Sequence, residues 1–253
     1  MIDALNTSFQ QIQGPHQMNQ EQLKQLVAEA ARDEVLKLES GAILGVGTGS
    51  TANCFIDALA PYKGHFSGTV SSSNATTKRL LQHGFKVLDP NEVTILPAYV
   101  DGADEIDPVG NMIKGGGGAL TREKIIASMA SQFICICDAS KQVPVLGHFA
   151  LPVEIIPLSL GVVTRQLEKF GGKVSMRLTK NSQEDLQQAS STPFVTDNGG
   201  WILDVRGLHI THPRDLESQI NQIAGVITVG LFAKERATIL LVSGPSGVDR
   251  ITF

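Results

Sequence analysis

Apolar residues recur at three- and four-residue steps from Asn19 onward. Leu23, Leu26, Val27, Ala30, Ala31 and Leu38 share one face, which predicts an amphipathic helix closed by Gly41. The pattern then changes. Ala42 to Val46 is a short unbroken apolar run, as in a buried strand, and a helix follows to about Ala60, stopped by Pro61. The alternation continues: strands are predicted at Thr69–Val70, Phe85–Leu88, Ala98–Val100 and Phe133–Cys137. Helices are predicted after Ser71–Asn74 to about His83 and from about Leu120 to Ala130. Strands alternating with helices imply an α/β fold, a mostly parallel sheet with helices on both faces.

The texture changes after Gly147. Leu151–Ile155 reads as a strand, Ser159–Phe170 as a helix closed by Gly171-Gly172, and Val174–Leu178, Phe194–Thr196 and Trp201–Val205 as strands. Asn198-Gly199-Gly200 forms the turn between the last two, and Pro213–Ile223 reads as a helix. This order suggests a small inserted α/β domain. Val226–Phe232 and Ile239–Ser243 are expected to return as strands to the first sheet. The expected division is a flexible extension over 1–18, a larger domain of 19–147 plus 226–253, and a smaller domain over 148–225. The polar stretch Lys180–Thr192 reads as an exposed loop.

Composition narrows the function classes. Of 253 residues, 42% are hydrophobic, and no apolar run reaches the roughly 18–20 residues of a transmembrane helix. The net charge of -4 points to neither nucleic acid nor an anionic membrane as partner. Residues 1–17 are Gln-rich and lack the basic start and apolar run of a signal peptide; they read as a flexible extension, with Met18 a second possible start. The three cysteines, an odd number without a signal peptide, suggest free thiols in a reducing cytoplasm. Cys135 and Cys137 alternate with Ile134 and Ile136, so they share one face of a buried strand and read as core. No CxxC or nearby histidine supports a metal or redox role.

In parallel sheets ligands bind beyond the carboxyl ends of the strands, and three polar clusters fall there: Gly47–Thr51, Asp101–Asp104 and Asp138–Lys141. The first offers backbone N–H groups and the hydroxyls of Thr48, Ser50 and Thr51 at a helix N-terminus, a cradle suited to a monophosphate. A dinucleotide fingerprint fits poorly: Ser50 stands where GxGxxG needs glycine, and Ser71 where the ribose-binding acid belongs. A tight strand-to-helix turn without a ligand remains open.

The second cluster opens the stretch YVDGADEIDPVGNMIKGGGGALTREK, Tyr99 to Lys124. Asp101, Asp104, Glu105 and Asp107 admit a solvated acidic turn or a divalent metal. The spacing does not suit an EF-hand, and no histidine lies nearby. Glu105 and Asp107 read as surface or capping groups. Lys114 precedes Gly115–Gly118, a run that is entropically costly unless close approach or positive φ is needed. Exposed N–H groups beside a lysine can stabilise an oxyanion. Glu123 follows as either a solvated helix residue or a base; none of the six histidines lies in these clusters, so a carboxylate must supply the base.

These residues also carry a family resemblance. GVGTGSTA (Gly45–Ala52), VSSSNAT (Val70–Thr76), YVDGADEID (Tyr99–Asp107), IKGGGGALTREKIIA (Ile113–Ala127), CDASK (Cys137–Lys141), VTDNG (Val195–Gly199) and GVITVGLFA (Gly225–Ala233) resemble, in order, the motifs of ribose-5-phosphate isomerase of type A. The resemblance covers the chain from about Asn19 onward. It implies a Rossmann-like domain with a smaller ferredoxin-like one, assembled as a homodimer or homotetramer. The implied activity interconverts ribose 5-phosphate and ribulose 5-phosphate through an enediolate, in the cytoplasmic pentose phosphate pathway, without metal or other cofactor. The implied base is Glu123; Asp101, Asp104 and Lys114 match residues for ring opening and hydroxyl protons. Thr48, Gly49, Ser50, Thr51, Gly102, Ala103, Gly115, Gly116, Gly117 and Lys141 match substrate contacts. Lys24 aligns with a phosphate-contacting lysine only across an apparent insertion before Gly41. The extension and the long Lys180–Thr192 loop depart from the family pattern. Two other classes are disfavoured: a sugar-phosphate-binding regulator, for want of a helix-turn-helix segment or basic patch, and an NAD-dependent oxidoreductase, by Ser50 and Ser71.

Overall fold

The computed structural model describes residues 18–179 and 192–253; the expected extension over 1–17 and all but the last residue of the expected Lys180–Thr192 loop lie outside the described residues. In chain order the elements are α1 (Gln20–Val35), β1 (Ile43–Val46), α2 (Ser50–Leu59), β2 (Gly68–Ser71), α3 (Asn74–Gln82), β3 (Ala98–Asp101), β4 (Glu105–Ile106), β5 (Met112–Ile113), α4 (Leu120–Ser128) and β6 (Phe133–Asp138). There follow β7 (Leu151–Ile155), α5 (Leu160–Glu168), β8 (Lys173–Met176), β9 (Trp201–Arg206), α6 (Pro213–Asn221), β10 (Val226–Val229), β11 (Leu231–Phe232), β12 (Ile239–Gly244) and β13 (Gly247–Thr252).

The first sheet has the order β13-β12-β6-β3-β1-β2. Every neighbouring pair is parallel except the β12–β13 hairpin. Side chains alternate between its faces, as the pleat dictates. Ile134 and Ile136 of β6 join Leu44, Val46 and Val100 beneath α1 and α2, against Val27, Ala31, Val35, Phe55 and Ile56. Phe133, Cys135 and Cys137 pack on the other face with Tyr99, Ile126, Phe232 and Leu240, so both cysteines are core, as their alternation implied. α1 starts where expected, at a capping box: Asn19 Oδ1 accepts from the Gln22 N–H at 2.9 Å, and Gln22 Oε1 accepts from the Asn19 N–H at 2.8 Å. It ends earlier than the periodicity suggested. Beyond Val35 the chain tightens into three-residue turns (Lys37 N–H to Glu34 O, Leu38 N–H to Val35 O), yet Leu38 still packs on the core.

The second sheet, β10-β7-β9-β8, is wholly antiparallel. Here three expectations are corrected. Val226–Phe232 does not return to the first sheet as one strand. Val226–Val229 pairs with β7, Leu231–Phe232 pairs with β5 in a small sheet β11-β5-β4, and Gly230 is the break between them. Phe85–Leu88 is not a ladder strand: it touches β2 through a single Thr69–Val87 bridge and the bonds flanking it. Phe194–Thr196 likewise supplies a single isolated bridge, Val195 to Trp201, rather than a strand. The short β4 and β5 and the edge strand β13 were not expected from the pattern. Among the described residues no helix is long and apolar enough to cross a membrane.

Gly230 sits where backbones meet. Its N–H donates to the Pro152 carbonyl at 2.7 Å, and its own carbonyl accepts the Lys114 N–H at 2.9 Å. A Cβ on it would lie 2.3 Å from the Lys114 carbonyl oxygen and 2.9 Å from the Pro152 ring. Gly230→Ala is therefore expected to lower stability by about 1–3 kcal/mol, the usual cost of overpacking. A urea melt checks this; an unchanged midpoint would show that the crossing has slack.

Candidate active site

The strand order decides which polar clusters meet. β1, β3 and β6 are neighbours in one parallel sheet, so the turns after their carboxyl ends lie side by side. A cavity of about 280 Å³ opens there. Thr48, Gly49, Ser50, Thr51, Gly102, Ala103, Asp104, Lys114, Gly115, Gly116, Gly117, Glu123 and Lys141 all line it. Of the four expected catalytic residues, Glu123, Asp101, Asp104 and Lys114, only Asp101 does not; it lies fully buried at the end of β3.

Asp101 is saturated with donors. Oδ1 accepts the N–H groups of Thr48 (3.0 Å) and Gly102 (2.7 Å); Oδ2 accepts Lys114 Nζ (2.8 Å) and the Tyr99 hydroxyl. This contact needs a bare backbone at Gly47, where a Cβ would lie 1.9 Å from Asp101 Cγ. Lys114 is 2% exposed. Its ammonium also donates to the Gly102 carbonyl at 2.5 Å and lies 3.4 Å from Glu123 Oε2. Glu123 is 3% exposed, and its Oε2 is the one buried side-chain oxygen or nitrogen among the described residues without a hydrogen-bond partner.

One ammonium therefore serves two carboxylates unequally. Burial by itself would lower the Lys114 pKa, but Asp101, then Glu123, and the hydrogen bond to Asp101 raise it above its ordinary value. Glu123 is left with the weaker share. Burial first, and the neighbouring Asp101 charge next, outweigh Lys114 and push its carboxyl up to about 8. A carboxylate with that affinity takes and returns a proton near neutral pH. Burial also raises Asp104, against the Gly116 N–H and the charges of Lys114, Lys141 and Arg177.

The glycine run folds back between these groups. Gly115 and Gly118 have φ of +101° and +84°, which only glycine adopts at little cost. The Gly116 N–H donates to Asp104 Oδ2 at 2.7 Å, and a Cβ there would lie 2.5 Å from Asp104 Oδ1. Across the cavity, α2 begins at Gly49 without a side-chain cap, so the N–H groups of its first turn are free for an anion. The Thr48 hydroxyl is held inside, 2.8, 2.9 and 3.2 Å from those of Ser72, Ser73 and Thr76. Among the described residues no group of three or more His, Cys, Asp or Glu side chains converges on a metal position; the cation among the carboxylates is Lys114.

Other motif residues are placed elsewhere. Glu105 is a buried capping group rather than a surface one, accepting the N–H of Gly147 at 2.8 Å and that of Phe149. Asp107 caps its own turn through Val109 and Asn111. Lys24 pairs with Glu21 at 2.6 Å and does not line the cavity. Two residues escaped sequence reasoning. Tyr99 reaches Asp101 from within β3, two positions away on the same face. Arg177, from the second sheet, donates to the carbonyls of Gly115 (2.8 Å) and Gly116 (3.2 Å) while paired with Asp204. No local pattern marks an arginine 61 residues from its partner.

Known proteins resemble this chain over most of its length. The family model described as ribose 5-phosphate isomerase A (phosphoriboisomerase A) matches residues 68–247. A curated protein from Polynucleobacter asymbioticus, named Ribose-5-phosphate isomerase A, is 79% identical over 236 residues, 93% of this chain and 100% of that protein. The crystal structure of ribose 5 phosphate isomerase A from Neisseria gonorrhoeae is similar with a TM-score of 0.85 at 38% identity, covering 94% of this chain and 99% of that one. A solved D-ribose-5-phosphate isomerase in complex with phospho-erythronic acid gives 0.84 at 34% identity, covering 93% and 100%.

The buried carboxyl of Glu123 has a consequence for stability. Its folded pKa is raised from 4.5 to about 8, so between those values the folded state binds more protons than the unfolded one. Stability then falls as pH rises through that window. Glu123→Gln removes the titration, so its melting temperature relative to wild type is expected to climb between pH 5 and pH 9. Calorimetry at the two pH values checks this; a constant difference would mean that Glu123 is not held protonated by the fold.

Proposed function

The chain belongs to the ribose 5-phosphate isomerase A family, and from that premise and the site's geometry we propose a proton-shuttling mechanism with Glu123 as the base. The enzyme is an isomerase of ribose 5-phosphate. In the proposed reaction the open-chain aldose loses its C2 proton to Glu123, and the C1 carbonyl oxygen takes up the negative charge. The O2 proton of the resulting enediolate passes to O1, C1 regains a proton from Glu123, and the product is ribulose 5-phosphate. One carboxylate on one face serves both carbons, so no redox cofactor enters.

The carrying observation is the buried, unpartnered Oε2 of Glu123 beside Lys114 in the cavity wall. An unsatisfied buried oxygen is costly, and a substrate C–H placed there would give it a function. The other roles follow from placement. Lys114 and the N–H groups of the glycine loop can meet an oxyanion as it develops, where the dry surroundings make each contact worth more than in water. Asp104, with its raised carboxyl, suits proton exchange with the sugar hydroxyls during ring opening and between O1 and O2. Asp101 holds Lys114 in place and charged. The uncapped start of α2, with Thr48 to Thr51 and Lys141, takes the phosphate. The phospho-erythronic acid bound by the solved relative supports this reading: it carries a phosphate, and its carboxylate is a planar anion like an enediolate. Family membership also supports a role in the non-oxidative pentose phosphate pathway in the cytoplasm, as a homodimer or homotetramer. The two sheets support a division into a catalytic and a smaller domain, with the expected boundary at 226 moved past Val229, because β10 pairs with β7 in the second sheet.

Purified protein given ribose 5-phosphate, EDTA and no nucleotide is expected to form ketose. Glu123→Gln is expected to keep phosphate-sugar binding and lose about 10²–10⁴-fold in kcat, the usual range for a lost acid–base group. Near wild-type turnover in that variant would sink the assignment. The base must be ionised in the free enzyme, so kcat/KM is expected to fall toward acid with a midpoint near 8. The substrate phosphate ionises near ~6, so a limb seen only there would belong to the substrate instead.

A further inference from the structure

Beyond Asp101, four buried carboxylates among the described residues lie outside the cavity, and three have evident partners. Glu217 pairs with Lys124 at 2.6 Å, Glu105 caps two backbone N–H groups, and Asp138 accepts the Ser140 N–H at 2.9 Å. Glu154 differs. It lies in β7, is completely buried, and forms no salt bridge among the described residues. Neutral side chains hold it. Oε2 accepts the Thr121 hydroxyl; Oε1 accepts the Thr196 hydroxyl at 2.6 Å and the Asn198 amide at 3.2 Å. Gly200 leaves room for it, since a Cβ there would lie 2.7 Å from Oε1. A buried carboxylate without a cation is costly, so its hydrogen-bond geometry is the feature to account for.

Its partners lead to the base. Thr121 and Arg122 immediately precede Glu123 in the first turn of α4. Thr121 is bound to Glu154. Arg122 donates to Asn198 Oδ1 and the Asp197 carbonyl, each at 2.8 Å, and to Asn74 Oδ1 at 2.9 Å. Asp197 in turn accepts the Asn74 N–H at 2.8 Å. α4 has no side-chain cap of its own: Ala119 occupies that position. The first turn of the helix is thus fixed by the second sheet and its turn, rather than by the helix's own sequence.

We propose that Glu154, acting through Thr121 and the Thr196–Asn198 turn, is a positioning residue for Glu123, fixing the start of α4 so that the base stays beside Lys114. This rests on the reading of Glu123 as the base. The phosphate cradle stands on a different element, so losing the hold should move kcat and leave KM largely unchanged.

Thr121→Val and Glu154→Leu are each expected to lower kcat by about 10–100-fold, as a misplacement of order 1 Å does. Glu154→Gln keeps an acceptor for Thr196 and Asn198 and can donate to the Thr121 hydroxyl, so it should recover most of the rate. In a Glu123→Gln background Thr121→Val should cost nothing further, because there is no base left to misplace. If Glu154→Leu does not fold, Thr121→Val decides. A folded Thr121→Val with wild-type kcat, or one whose loss recurs undiminished in the Glu123→Gln background, overturns the proposal while leaving Glu123 as base. Full turnover by Glu123→Gln overturns both.

Discussion

A single buried ammonium shared by two carboxylates constrains everything around it. Lys114 is almost fully buried, so its charge must be met by Asp101, and Asp101 fits there because Gly47 has no Cβ and because the Thr48 and Gly102 N–H groups hold its other oxygen. Once Asp101 is satisfied, what remains of the Lys114 charge falls on Glu123 at 3.4 Å without a proper hydrogen bond. The difference between a structural carboxylate and a reactive one is therefore set by donor count. Four donors hold the first; the second has one distant cation and a dry wall.

That arrangement straddles two sheets. Lys114 is held through its backbone by Gly230, the residue where the chain leaves β10 for β11, and the glycine loop after it is gripped by Arg177 of β8's end. Lys124, just past the base, donates to Glu217 and to the carbonyls of Val229 and Leu231. The parallel sheet supplies the floor and the anion cradle, while the antiparallel sheet clamps the segment from Lys114 to Lys124. Neither sheet alone fixes the reacting groups.

Much of this was legible in the chain, for identifiable reasons. Period-2 alternation put Cys135 and Cys137 in the core, and strand–helix alternation placed three polar turns on one edge. The costly glycine run marked a loop needing close approach. What escaped was tertiary. Val226–Phe232 is one apolar run in sequence, but a backbone crossing at Gly230 divides it between two sheets. Phe85–Leu88 has strand composition yet lies where β2 gives it one bridge. Asp101 and Asp104 look alike in DGAD; one ends a buried strand and the other meets the glycine loop beyond it. Glu123 had a local signal: it falls on the buried stripe Leu120, Glu123, Ile126 and Ala127 of α4, where a solvated glutamate would not sit. Arg177 and Glu154 had none beyond an isolated charge in an apolar strand.

The site also grades from wet to dry. Gly49, Ser50, Gly116 and Gly117 are exposed at the mouth, while Lys114 and Glu123 are almost sealed. On the proposed reading that gradient suits a substrate charged at one end and reactive at the other. The phosphate can enter through water and settle on the start of α2 before the sugar carbons reach the base. Electrostatic contacts gain strength as the local dielectric falls, so the buried Lys114 ammonium would act more strongly on the enediolate than a surface ammonium could. The same burial raises the proton affinity of Glu123, so a single physical cause both shelters the intermediate and tunes the group that makes it.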